Sequence, residues 1–89
     1  MNRFKKATQM ILDLAKDFEG RLADHIIFDV RDYVDHNEPG IAFRILYAQL
    51  YEFYIPISEN EWSRIDKVGQ LLRYDEQGYD WSSLKELIE

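Results

Sequence analysis

No cysteine occurs in the 89 residues, so neither a disulfide nor a thiolate metal site is available. That absence fits a reducing compartment. Histidine is scarce too, with only His25 and His36, and the four glycines stand apart as Gly20, Gly40, Gly69 and Gly78. A loop that cradles phosphate needs glycines clustered a few residues apart, which this spacing excludes. Ser58, Ser63, Ser82 and Ser83 have no general base at a recognisable spacing, so no nucleophilic constellation is legible. The longest runs free of polar residues are four or five residues, far short of a membrane span. Asp13 and Lys16 interrupt the apolar run that would have to follow Arg3, Lys5 and Lys6 in a signal peptide. These absences lead us to expect a cytoplasmic protein without catalytic residues, cofactor or metal.

Bases are the other shortage. The net charge is −6, and once Arg3, Lys5 and Lys6 are set aside, seventeen acids face eight bases. Such a surface repels nucleic-acid backbone and anionic lipid, and it attracts a basic protein. Aromatics, by contrast, are plentiful: five Phe, six Tyr and two Trp. They matter because a chain this short buries only about 60–65% of its unfolded surface, and each ring buries a large area.

The patterning is helical throughout. Phe4, Ala7, Ile11, Leu14 and Phe18 make one apolar stripe on a helix over about Asn2 to Glu19, ended by Gly20. After the polar stretch Arg21 to Asp24, residues Leu22, Ile26, Ile27, Val30, Tyr33 and Val34 predict a second helix ending near Asn37. Ile41 to Tyr54 is apolar except at Arg44, Gln49 and Glu52, so this third helix should be covered on most sides. Phe43, Leu46, Tyr47, Leu50, Phe53 and Tyr54 are expected to fill its wide apolar arc. Ile55-Pro56-Ile57 forms an extended link, since Pro56 cannot continue a helix. Ser58 and Glu61 read as a capping box opening a fourth helix, with Trp62, Ile65, Val68 and Leu72 inward. Gly69 on that face would cost about 1 kcal/mol against Ala, which points to a neighbour packed close. Tyr74 to Tyr79 is a polar turn, and Asp80 is placed to cap a last short helix carrying Trp81, Leu84 and Ile88. The expectation is a single all-α domain over residues 1–89, a bundle of about five helices around the central apolar helix Ile41 to Tyr54.

Two groups of side chains invite a functional reading. His25, Asp29, Asp32 and His36 step by four, three and four residues along one polar face of helix two. One helix without a second ligand-bearing element seldom closes a metal site, so a solvated face is expected there. Phe28 projects opposite Val30, into the arc of Asp24, Arg31, Asp32 and Asp35. A ring in that position is either covered by another element or offered to a partner, as aromatic anchors ringed by polar residues are at interfaces. Tyr79 and Asp80, with Tyr74 to Glu76 ahead of them, repeat the pairing of aromatic and acid near the C-terminus.

The stretch HNEPGIAFRILYAQLYEFYIPISENEW (His36 to Trp62), followed by a Leu-rich helix and a late Trp81 and Leu84, resembles the MafI-type immunity proteins. The likeness covers roughly residues 22 to 89. It is most specific at His36-Asn37-Glu38, Gly40, Ala42, Leu50-Tyr51-Glu52 and Ile55-Pro56-Ile57-Ser58. The resemblance implies a small helical antidote, encoded beside polymorphic or contact-dependent growth-inhibition toxins. Such a protein binds the toxin's C-terminal domain one-to-one, the toxin often being an EndoU-like ribonuclease that acts on RNA with a pair of His and a Lys. An RNA-gripping cleft is basic, so an acidic inhibitor suits it. The contacts expected for such a partner are Asp24, Phe28, Asp32, Asp35, Tyr79 and Asp80, while the motif residues around Pro39 and Ile55 to Ser58 are assigned to folding. A helical adaptor that docks a basic helix, unrelated to toxins, is the alternative.

Overall fold

The computed structural model describes residues 2–89. Four α-helices, α1 (Arg3–Asp17), α2 (Asp24–Asp35), α3 (Pro39–Glu52) and α4 (Glu59–Leu71), precede a short 3₁₀ helix, Ser82–Leu87. The all-α class and the five helices agree with the periodicity. Among the described residues no helix is long and apolar enough to cross a membrane.

Asn2 opens α1, its side chain accepting the Lys5 N–H at 2.8 Å. Ala7, Ile11, Leu14, Ala15 and Phe18 are then fully buried. Phe4 departs from the expected stripe: it lies in the first turn, beyond the edge of the core, half exposed beneath the Arg3 guanidinium. Past α1 the Leu22 N–H returns to the Phe18 carbonyl at 3.0 Å. Leu22 is therefore buried from the turn, ahead of α2. In α2 itself Ile26, Ile27 and Val30 face inward, whereas Tyr33, expected with them, is exposed.

The second helix stops at Asp35, two residues earlier than expected, because Asn37 turns left-handed (φ 59°). The Glu38 N–H then bonds the Tyr33 carbonyl at 2.8 Å, an arrangement that suits Asn. The third helix is correspondingly displaced from Ile41–Tyr54 to Pro39–Glu52. Pro39 takes the first helical position, where its missing N–H is no loss. Ala42, Phe43, Leu46 and Leu50 are fully buried, and α3 packs against α1, α2, α4 and the 3₁₀ helix. It is central, as expected. Phe53 and Tyr54, assigned to its apolar arc, instead lie beyond its end and are exposed.

The capping box of α4 is present, with the Glu61 N–H on Ser58 Oγ at 3.0 Å and the Ser58 N–H on Glu61 Oε1 at 2.8 Å. Glu61 is buried and Trp62 only half-buried, which reverses the expected inner face at this turn. The reason is Arg21. Its guanidinium forms an ion pair with Glu61, donates to the Asp17 carbonyl at 2.9 Å, and lies 4.3 Å from the Phe18 ring centre.

Gly69 does mark a close approach: a Cβ there would overlap the buried Trp81 ring. Trp81 meets Phe43 edge-on at 5.5 Å and donates Nε1–H to Asp66 at 3.0 Å. The final helix winds as 3₁₀, so Trp81, Leu84 and Leu87 share its three-residue period and are buried; Ile88 lies past its end. There the Ile57 N–H bonds the Leu87 carbonyl at 3.0 Å and the Glu89 N–H bonds the Ile57 carbonyl at 2.9 Å.

Two outcomes follow. Gly69→Ala gains about 1 kcal/mol of helix propensity but overpacks Trp81, and urea unfolding should show a net loss of about 1–2 kcal/mol. Arg21→Ala leaves the buried Glu61 carboxylate unpaired and should cost about 1–3 kcal/mol at pH 7. The Arg21 hydrogen bond holds Glu61 below its ordinary value of 4.5. A lowered carboxylate contributes stability above that value and loses it as pH falls through the folded pKa. The gap between parent and variant should therefore narrow below pH 4.5.

Candidate functional site

Burial of Ile26, Ile27 and Val30 against the bundle fixes which face of α2 meets solvent. At 100° per residue, Asp24, Phe28, Arg31 and Asp35 share that outer face. Phe28 is 66% exposed, so no second core layer covers it. A shallow depression of about 380 Å³ lies around it, lined by Glu19, Asp24, Ile27, Phe28 and Arg31. Arg31, the one base of this face, is held in an ion pair with Glu19. Its charge is thereby offset, and among the described residues no lysine or arginine pairs with Asp24 or Asp35.

Asp32 stands at the margin, facing His36. The imidazole Nδ1 lies 2.7 Å from the Asp32 carbonyl and 3.5 Å from its carboxylate. The backbone hydrogen bond first, then the charges of Asp32 and Asp35, raise the His36 pKa above 6.5. The margin of the face thus loses one positive charge as pH climbs through that raised value. His36 is turned onto its own helix, and among the described residues no three His, Cys, Asp or Glu side chains converge as metal donors.

The other expected contacts lie elsewhere. Tyr79 is half-buried, its ring 4.5 Å from that of Tyr74 and 5.1 Å from the Arg44 guanidinium, which also donates to its hydroxyl at 3.4 Å. Asp80 accepts the Ser82 N–H at 2.9 Å, and that bond holds its carboxyl below the usual range. Both therefore have work within the fold. They border a depression of about 180 Å³ with Trp62, Asp66 and Trp81, which shares no residue with the one on α2. The six expected contacts accordingly fall into two groups.

Two features went unread in the sequence. A groove of about 1030 Å³ joins the first turn of α1 to the α2–α3 link and the turn after α4. Arg3, Lys5 and Arg73 border it together with Glu38, Glu76 and Tyr74. The basic N-terminus was visible as composition, but its juxtaposition with residues some seventy positions away was not. The second feature is the exposure of Tyr51, Phe53 and Tyr54 at the end of α3. Compared with family models, with curated proteins and with solved structures, the chain finds no match in any of the three.

Because Phe28 is not part of the core, Phe28→Ser should shift stability by less than about 0.5 kcal/mol in a thermal melt. A larger loss would show that the ring has a folding role.

Proposed function

We propose that this chain is a non-enzymatic immunity protein that captures a basic toxin domain through the outer face of α2. The observation that carries the reading is Phe28, 66% exposed among carboxylates whose one arginine is already paired. A desolvating ring set in uncompensated negative charge suits a basic protein surface, the ring supplying binding energy and the acids steering encounter. The resemblance of residues 22 to 89 to MafI-type immunity proteins supports a toxin as partner, an EndoU-like ribonuclease delivered by contact-dependent inhibition and met by this protein in the cytoplasm. On this reading the carboxylates occupy the cleft where RNA phosphate lies, one inhibitor per toxin. The split of the six candidate residues narrows the bet to Asp24, Phe28, Asp32 and Asp35.

The test is co-purification with the product of the adjacent upstream gene, followed by tRNA cleavage with and without this protein. Cleavage should stop at one equivalent. Reversing both Asp32 and Asp35 to Lys should slow association by about tenfold, within the range of electrostatic steering, and flatten its salt dependence. An unchanged rate and salt slope would remove the acidic face from the mechanism.

A further inference from the structure

The end of α3 departs from the usual chemistry of helix termination. The Tyr54 N–H bonds the Tyr51 carbonyl at 3.2 Å and the Ile55 N–H bonds the Leu50 carbonyl at 3.0 Å. Those are the two bonds of a Schellman close, whose left-handed residue is most often glycine. Here it is Tyr54, at φ 50°. A bulky side chain in that region is sterically disfavoured, and glycine would be free of the strain. The same close ends α2 at Asn37, an ordinary choice, and α4 at Arg73 (φ 55°). Core packing does not account for a tyrosine at this position, since its ring is 69% exposed.

Its neighbours share the exposure. Phe53 is 57% exposed and Tyr51 also reaches solvent, its ring centre 6.0 Å from that of Tyr54. Glu52 lies between them, exposed. The chain has no Lys or Arg from Ile45 to Ser63, where the acids are Glu52, Glu59 and Glu61. Arg21 pairs with Glu61, so the charge left over is negative. Exposed ring faces beside an unpaired carboxylate match a planar cation that stacks and donates hydrogen bonds at once. Guanidinium does both, whereas ammonium is a compact, strongly hydrated charge. A second copy of this chain, docked symmetrically through the same patch, would bring Glu52 against its own like charge.

We propose that the Tyr51–Tyr54 patch is a docking surface for arginine side chains of a basic protein segment. This rests on reading the chain as a binder of basic protein, and it adds a contact whose residues are not among those lining the α2 depression.

Isotope-labelled protein titrated at low salt with hexa-arginine and hexa-lysine peptides tests it by amide chemical shifts. Hexa-arginine should move the amides of Tyr51 to Ile55, with an affinity there at least about threefold above that of hexa-lysine. Tyr54→Gly should remove that preference while melting no lower than the parent, because glycine relieves the left-handed strain. Shifts confined to Asp24–Asp35 would sink the patch and leave the α2 reading standing. Equal response to the two peptides, or an unaltered response in Tyr54→Gly, would also overturn it. No shift from either peptide would remove both readings. If sedimentation shows a dimer that Tyr54→Gly abolishes, a second copy takes the patch and the arginine proposal fails.

Discussion

The ion pair between Arg21 and Glu61 is the constraint on which the arrangement of helices depends. Glu61 sits in the first turn of α4, where a carboxylate favours the exposed backbone N–H groups, and it completes the Ser58 capping box. Arg21 sits in the turn after α1, donating to the Asp17 carbonyl and, at 3.4 Å, to that of Pro56. One guanidinium therefore ties the end of α1, the α3–α4 link and the start of α4, while its plane covers Phe18. Arg64, 2.7 Å from Asp17, adds a second tie between the same two helices. Side chains forty positions apart in the chain set how α1 lies on α4, and α3 is enclosed as a consequence.

On the opposite side the close packing is aromatic. Gly69 lets Trp81 lie against the α4 backbone. The indole then meets Phe43, which Tyr47 also approaches edge-on at 5.1 Å. Volume is filled there by shape, and the Trp81 indole N–H finds Asp66. The two sides divide the labour: an ion pair orients the helices at one end, and ring packing closes the bundle at the other.

Much of this was legible in the residues. Helical period placed Ile11, Leu14, Ile26, Val30, Phe43 and Ile65 in the core, and Ser58 with Glu61 announced the start of α4. Gly69 announced a close neighbour, though not that the neighbour was Trp81. What escaped depends on ends and on distance. Phe4, Phe53 and Tyr54 fit the apolar period but fall where their helices run out, so periodicity alone counted them as buried. Leu87 replaced Ile88 because the last helix took the three-residue period. As for the candidate contacts, helical period put Phe28 on the outer face of α2, yet does not determine whether another element covers it. Tyr79 looked like a surface aromatic beside an acid; Tyr74, folded back across the turn, and Arg44, thirty-five positions away, engage it instead.

The two hydrogen bonds between Ile57 and the last residues have a consequence for how this small domain opens. They are the only ladder-like contact between the α3–α4 link and the chain's end that backbone groups supply among the described residues. Between them lie α4, the Tyr74–Tyr79 turn and the 3₁₀ helix, closed into one loop of about thirty residues with a loop-closure entropy to match. When the end frays, the Ile57 amide loses its acceptor at the same moment as the Glu89 amide loses hers to solvent, so link and terminus form one local unfolding unit. The exposed rings at the end of α3 are joined directly to that unit through Ile55 and Pro56. Those rings therefore lie between a helix on one side and, on the other, a link tied to the chain's end by two backbone hydrogen bonds.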